Sequence, residues 1–354
     1  MSLRFSATTP IRFDPNRATS MAAGPNRRPL PLPPRSQAGV DRELSRRLFI
    51  LGVGYVGRFF AQHMKGQGWA VSGTCRSLEK KRQLEEEGLD ARVLDASEPE
   101  LSTLDILKDY THLLVSIPPA RGIGDPVRQA FSWLRMLQHR EFLEHVLRDG
   151  NLQWLCYLSS TSVYGDCGGA WVDEDYPANP STELGRMRLH AEKGWLDMGH
   201  NLGISSMVLR LGGIYGPGRS ALDTIISRNP LSDSKKMRLS RQYTSRVHVD
   251  DICQALRAGI YVPFSSKIYN VVDDDPAPRE EVFEYAEDLV KTKFAGCFQE
   301  DKYPDGTEST VQRVGRRDEK RVLNSRLKQE LGIKLLHPSY KSGLRSIIEQ
   351  IDVD

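Results

Sequence analysis

From residue 48 onward, short apolar runs alternate with longer stretches that carry apolar positions at helical spacing. The runs Leu48–Leu51, Trp69–Thr74, Ala91–Asp95, His112–Ser116, Trp154–Leu158 and Ser206–Leu211 predict strands. Between them the spacing predicts helices from Arg58 to about Gly66, over Ser77–Gly88, over Gln129–Arg148 and over Glu183–Met198. Strand and helix in strict alternation are the mark of a parallel sheet with crossover helices, hence an α/β fold with a doubly wound parallel sheet. Small or polar residues follow the C-terminal end of each strand, and ligands bind at that edge of an open parallel sheet.

The first strand runs directly into Gly52-Val53-Gly54-Tyr55-Val56-Gly57, and a helix-forming stretch begins at once. In such a strand–turn–helix unit Gly52 permits the tight turn, Gly54 lets the backbone approach a pyrophosphate, and Gly57 lets the helix pack on the strand. The helix start at Tyr55, Val56 and Gly57 presents unpaired N–H groups and a positive dipole end to that anion. Dinucleotide binding in a Rossmann domain is therefore the expectation. Glycines also serve plain tight turns, and the legible strand and helix on either side decide against that reading.

Composition changes the picture at the N-terminus. The formal net charge is +3, but residues 1–47 hold nine Arg and three acidic residues, so the remainder is net negative. Nucleic acid is not expected as a partner, since no basic stripe with interleaved aromatics occurs. Nor is a membrane, since no apolar run approaches the roughly 18 residues of a spanning helix. Residues 1–45 are rich in Ser, Thr, Ala, Pro and Arg and nearly free of acids, the composition of an organellar transit peptide. A chloroplast (plastid stroma) address is favoured over a mitochondrial one, because the segment lacks a sustained amphipathic helix. A proline-rich arm that is never cleaved is the alternative. Cys75, Cys156, Cys167, Cys253 and Cys297 are scattered and form no C-x-x-C pair, so free thiols are expected.

Several further motifs stand in order: Leu158-Ser159-Ser160-Thr161-Ser162-Val163-Tyr164-Gly165, Leu209-Arg210-Leu211-Gly212-Gly213-Ile214-Tyr215-Gly216-Pro217-Gly218, Arg246-Val247-His248-Val249-Asp250-Asp251-Ile252 and Ile268-Tyr269-Asn270-Val271. Together with the glycine turn they resemble the extended short-chain dehydrogenase/reductases, the group of nucleotide-sugar epimerases and dehydratases, and particularly its atypical branch. The resemblance spans about residues 48–345. It implies a Rossmann domain over 46–212 and a smaller C-terminal substrate-binding lobe over 213–354, with 246–275 returning to the sheet. It also implies that Asp95 contacts adenine, that Ser160 orients a substrate oxygen, that Tyr164 lies near the site, and that two copies pair as a homodimer through the two long helices, Gln129–Arg148 and Glu183–Met198.

That family needs a tyrosine as acid/base and a lysine one helical turn later. Here Leu184 and Arg188 hold those places, and none of the twelve tyrosines has a lysine four residues on. Leu184 cannot ionise. Arg188 remains able to hold ribose hydroxyls, although a guanidinium exchanges no protons near neutral pH. Thr161 and Ser162 replace the acidic pair of the dehydratases. Tyr164, Glu183 and His248 are the candidates for a substitute proton source, each with a structural role as its competing explanation.

Strand two ends Gly73-Thr74-Cys75-Arg76-Ser77 with no acid to bind ribose hydroxyls. Arg76 suits a 2′-phosphate and Ser77 adds a hydrogen bond, which favours NADP over NAD. No metal is expected: the six-residue spacing of His139 and His145 is wrong for an i, i+4 pair, and Asp250 and Asp251 read as a helix cap. Arg316, Arg317, Lys320 and Arg321 read as a solvated helical face. The expected function is oxidoreduction of a small polar or nucleotide-linked substrate. An epimerase, or a non-catalytic dinucleotide-binding redox sensor or scaffold, are the alternatives.

Overall fold

The apolar runs pair edge to edge in one parallel sheet. Its strands are β1 (Arg47–Leu51), β2 (Ala70–Cys75), β3 (Asp90–Val93), β4 (His112–Val115), β5 (Trp154–Ser160), β7 (Ser205–Leu211) and β10 (Ser266–Val271), in spatial order β10-β7-β5-β4-β1-β2-β3. These positions come from a computed structural model that describes residues 46–94, 105–117, 140–227, 243–262, 266–294 and 319–351. The strand order reverses between β1 and β4, which creates a topological switch point beside the glycine turn. The doubly wound α/β architecture expected from the alternating pattern is thus present. The segment 1–45, Asp95, residues 129–139 of the third predicted helix, Cys297, Arg316 and Arg317 lie outside the described residues.

The central strands β1 and β4 are buried on both faces, because helices cover both. Along β1, Leu48 and Ile50 join one core with Phe60 and Met64 of α1 (Tyr55–Gly66) and Ile252 and Leu256 of α6 (Val249–Ile260). Phe49 and Leu51 point the other way, into a core with Val146 and Leu147 of α3 (Arg140–Arg148) and Ala191, Trp195 and Met198 of α4 (Glu183–Leu202). Alternation along a strand is what sends neighbours to opposite faces. The charged helix α2 (Leu78–Glu86) buries only Leu84.

The sheet's outer strand β10 arrives late in sequence and pairs with β7 in parallel register, Tyr269 opposite Leu209. A separate apolar cluster gathers Leu222 and Ile225 of α5 (Ala221–Ile226), Val282, Ala286 and Val290 of α7 (Arg279–Lys293), and Leu344, Ile347 and Ile348 of α9 (Tyr340–Glu349). Two small parallel pairs complete the elements: β6 (Trp171–Val172) with β11 (Arg321–Val322), and β8 (Gly213–Tyr215) with β9 (Arg246–His248). The helix α8 (Ser325–Leu331) follows β11. Sheet and second cluster belong to one compact unit, Arg42–Asp354.

The expectation of a solvated helical face at 316–321 is corrected for its two described members. Lys320 is buried and its ammonium donates to the Gly165 carbonyl at 2.7 Å. Arg321 lies in β11, with its guanidinium 5.0 Å from the Trp171 ring and 4.7 Å from the Tyr243 ring. Cationic stems cover aromatic faces readily, so a charge run need not face water.

Candidate functional site

The turn after β1 is built almost wholly from backbone. Gly52 has φ +89°, and a Cβ there would stand 2.6 Å from Ile117 Cγ1. Thr74 at the end of β2 stitches the turn in place: its hydroxyl accepts from the Gly52 amide at 2.9 Å and its carbonyl from the Val53 amide at 2.7 Å. Gly57 brings α1 against the strand, since a Cβ there would meet the Gly52 carbonyl at 3.2 Å. Gly54 differs from both: a Cβ there would meet nothing within 4 Å. Among the described residues, none fills the room beside Gly54.

Gly54 caps α1 without a side chain, and no acidic residue occupies the first turn. The amides of Tyr55, Val56 and Gly57 have no hydrogen-bond partner among the described residues. Three convergent donors, an open approach and the positive end of a helix form an anion cradle, and its fit to a pyrophosphate is the reason these residues could hold a dinucleotide. The Tyr55 side chain turns away from that task. Its phenol donates to the Pro217 carbonyl at 3.0 Å, and the Arg219 guanidinium sits 5.3 Å from its ring. Burial raises the phenol's pKa, and the Arg219 cation opposes the shift.

At the neighbouring strand end Arg76 is exposed and has no ion-pair partner among the described residues. Ser77 caps α2 by accepting from the Lys80 amide at 3.2 Å, which leaves its hydroxyl proton free to donate. Val93 and Leu78 are exposed beside this strand end.

The corner between β5 and α4 holds the residues expected to touch substrate. Ser160 is partly exposed and caps the short turn Thr161–Tyr164 by accepting from the Ser162 amide at 3.2 Å. Thr182 caps α4, and Gly185 lets its first turn approach Ser162: a Cβ there would meet Pro180 at 2.7 Å and the Ser162 carbonyl at 3.5 Å. Leu184 and Arg188 are both partly buried on that first stretch of helix. Arg188 is near enough to Tyr157 of β5 that its charge opposes the upward pKa shift that burial gives the phenol. Glu183 instead lies at the surface, paired with Arg186 at 2.8 Å.

Tyr164 sits deeper than a proton donor should. It is buried, its hydroxyl donates to Asn270 Oδ1 at 2.8 Å, and the Arg210 guanidinium lies 4.8 Å from its ring. Burial pushes its phenol up to about 12. Its geometry is that of a packing residue.

Directly beneath the corner lies a pair that sequence reasoning missed. Arg210 of β7 makes a forked contact with Glu192 of α4, with Nη2 2.7 Å from Oε2 and Nε 3.2 Å from both oxygens. Ser159 donates to the same carboxylate. Both charges are almost fully buried, at 4% and 2% side-chain exposure. One sequence signal existed: a lone charge inside an apolar strand must have a partner.

The expected cap at Asp250 and Asp251 is also corrected. His248 is the N-cap of α6, and its Nδ1 accepts from the Asp250 amide at 3.3 Å. Burial and the nearby His337 depress the His248 pKa to about 4, so it is a neutral structural group. Asp250 and Asp251 stand in the first helical turn instead. Cys75, Cys156 and Cys253 are buried free thiols. Among the described residues no helix is long and apolar enough to cross a membrane.

The comparisons fit this architecture. The NAD dependent epimerase/dehydratase family matches residues 48–271. The protein YeeZ of Escherichia coli K12 is 31% identical over 232 residues, 64% of this chain and 77% of that protein. A conserved protein of Silicibacter pomeroyi DSS, described as functionally unknown, superposes with a TM-score of 0.62 at 31% identity, over 87% of this chain and 99% of that one. The UDP-glucuronic acid 4-epimerase of Bacillus cereus, solved in complex with UDP-glucuronic acid and NAD, gives a TM-score of 0.62. It covers 86% of this chain and 99% of its own, but at 18% identity it speaks for the fold alone.

Proposed function

The chain belongs to the NAD dependent epimerase/dehydratase family, and on that premise we propose that it is a dinucleotide-binding oxidoreductase-like protein, holding NADP in preference to NAD. The observation that carries the reading is the cradle at Gly54, where open space meets three unpartnered amides at a helix start. When bound there, the nicotinamide gives or takes a hydride. Gly52, Gly54 and Gly57 admit the pyrophosphate, and the Tyr55, Val56 and Gly57 amides donate to it. The exposed Arg76, which has no ion-pair partner among the described residues, takes the 2′-phosphate with help from the Ser77 hydroxyl. Asp95 is assigned to adenine on the family resemblance.

At the β5–α4 corner Ser160 donates to the oxygen of a small polar or nucleotide-linked substrate, and Arg188 holds the nicotinamide ribose. Leu184 moves no proton, so the chemistry draws on a group other than the usual tyrosine. The supporting comparison is with relatives of this fold solved with UDP-sugars and NAD. Titration of the purified protein with NADPH, NADH and their oxidised forms, with mass analysis of co-purifying small molecules, tests this. NADPH binding with hydride transfer to one of a panel of nucleotide-linked substrates is expected. No binding of either cofactor overturns the reading.

Leu184 favours one other reading, a non-catalytic module whose dinucleotide occupancy is sensed by a partner. NADPH binding with no turnover, and partners that co-purify only with cofactor present, would select it. An epimerase would instead retain its cofactor tightly and show no net redox change. We further propose that residues 1–45 address the chain to plastids, with mitochondria as the alternative, to be read from the location of a fluorescent fusion. Pairing of two copies through α3 and α4 is tested by light scattering.

A further inference from the structure

His248, Asp250 and His337 converge from the end of β9, the first turn of α6 and the loop between α8 and α9. Their ligating atoms all lie within 4.8 Å of one another. Asp250 Oδ2 is 3.4 Å from His248 Nδ1 and 3.8 Å from His337 Nε2, and the two imidazole rings are 4.0 Å apart centre to centre. The group is braced from behind. The Asp251 carboxylate accepts from the amides of Leu336 at 2.6 Å and His337 at 3.1 Å, which fixes the loop that carries the second histidine. His248 is only 2% exposed, and it is its Nδ1 that faces the Asp250 carboxylate.

A tetrahedral zinc-like ion has bonds of about 2.0–2.2 Å to imidazole nitrogen and carboxylate oxygen, which places neighbouring ligand atoms roughly 3.4 Å apart. One edge of the cluster is already at that length, and a second closes by a few tenths of an ångström. Two imidazoles and one carboxylate are the donors of a borderline first-row ion, whereas calcium and magnesium take oxygen ligands. Asp250 is 47% exposed at its side chain, so the fourth position opens to water.

We propose that His248, Asp250 and His337 bind one divalent transition cation of the Zn²⁺ class per chain. Coordination uses the Nδ1 lone pair of His248 that now accepts from the Asp250 amide, so the ion replaces that helix cap. It fastens the start of α6 to the loop ahead of α9. The proposal stands apart from the dinucleotide reading, since none of the three residues belongs to the Gly54 cradle.

The test uses the full chain, stripped with a chelator and titrated with Zn²⁺ by calorimetry and with Co²⁺ by visible absorption. One ion per chain is expected, with the d–d absorption of a four- or five-coordinate nitrogen/oxygen site. His337→Ala and Asp250→Asn are each expected to lose at least about tenfold in affinity. Absence of that absorption in the unmutated protein overturns the proposal, and so do both variants binding with unchanged affinity and stoichiometry. The Co²⁺ spectrum of the unmutated chain needs no variant to fold. NADPH titration of the same stripped sample reports on the cradle separately, so either reading can fail alone.

Discussion

The turn after β1 and the corner after β5 stand two strands apart on the same edge of the sheet, yet they are built from different materials. The first is chiefly a backbone device: apart from the Thr74 hydroxyl that receives the Gly52 amide, the contacts that shape it use amides, carbonyls and the absence of a Cβ. The second depends on side chains, and there the two positions that should carry proton transfer read Leu184 and Arg188. Packing at that corner is nevertheless intact, down to the buried Glu192–Arg210 pair beneath it. Holding a dinucleotide and acting with it are separable properties of this fold, because one is written in backbone geometry and the other in two side chains.

The comparison breaks most visibly at Glu192. Glu192→Ala leaves the Arg210 guanidinium buried without its carboxylate and should cost about 3–5 kcal/mol in urea unfolding. A loss under about 1 kcal/mol would mean that the corner's integrity rests on something else. A control lies at the opposite sheet edge, where burial depresses the His112 pKa to about 4. A base held neutral in the fold gives stability that is complete above its unfolded value near 6.5 and lost as pH falls toward about 4. That loss should reach about 2–3 kcal/mol and be absent in His112→Phe, with neither region on the C-terminal edge involved.

Gly54→Ala is the sharper probe of the first region. Protein atoms leave room for the methyl, so stability should change by no more than about 1 kcal/mol, while NADPH affinity falls at least about tenfold. Equal binding by the variant would show that the dinucleotide phosphates do not sit at Gly54. Arg76→Ala should weaken NADPH by about tenfold and NADH hardly at all, read from paired fluorescence titrations. Equal losses for both cofactors would assign Arg76 to the adenine face instead of a 2′-phosphate. The smallest effect is expected from Leu184→Tyr with Arg188→Lys. Cofactor affinity should stay within about twofold, and any turnover that emerges would show the second region to be one dyad short of a working site.

How much of this was legible beforehand follows the same division. The glycine turn could be read because its spacing falls between a legible apolar strand and a legible helix start. Six of the seven sheet strands were legible as apolar runs, with ends shifted by a residue or two, as at Ala70–Cys75, whereas β10 was expected in the sheet only from the family resemblance. Partners across the fold were not legible. Nothing near Arg210 names Glu192, eighteen positions earlier, and nothing near Gly52 names Thr74. His248 was missed as a cap because aspartate is the usual donor of such an oxygen, whereas imidazole Nδ1 reaches the same amide. Lys320 was misjudged because a charge run reads as solvated until the carbonyl that receives it is known.

Asn270 has a consequence for how the chain is made. Its side chain accepts from Tyr164 and donates to the Leu323 carbonyl, and its amide donates to Glu174 at 2.7 Å. A ribosome that has released the chain only as far as Ile260 has delivered β7 with a bare edge and a tyrosine and a carboxylate with nothing to meet. Unpaired strand edges are templates for pairing with other chains. The nascent protein is thus exposed to misassociation until β10 emerges, and chains cut short of Val271 should be recovered as aggregates and not as a smaller dinucleotide-binding domain.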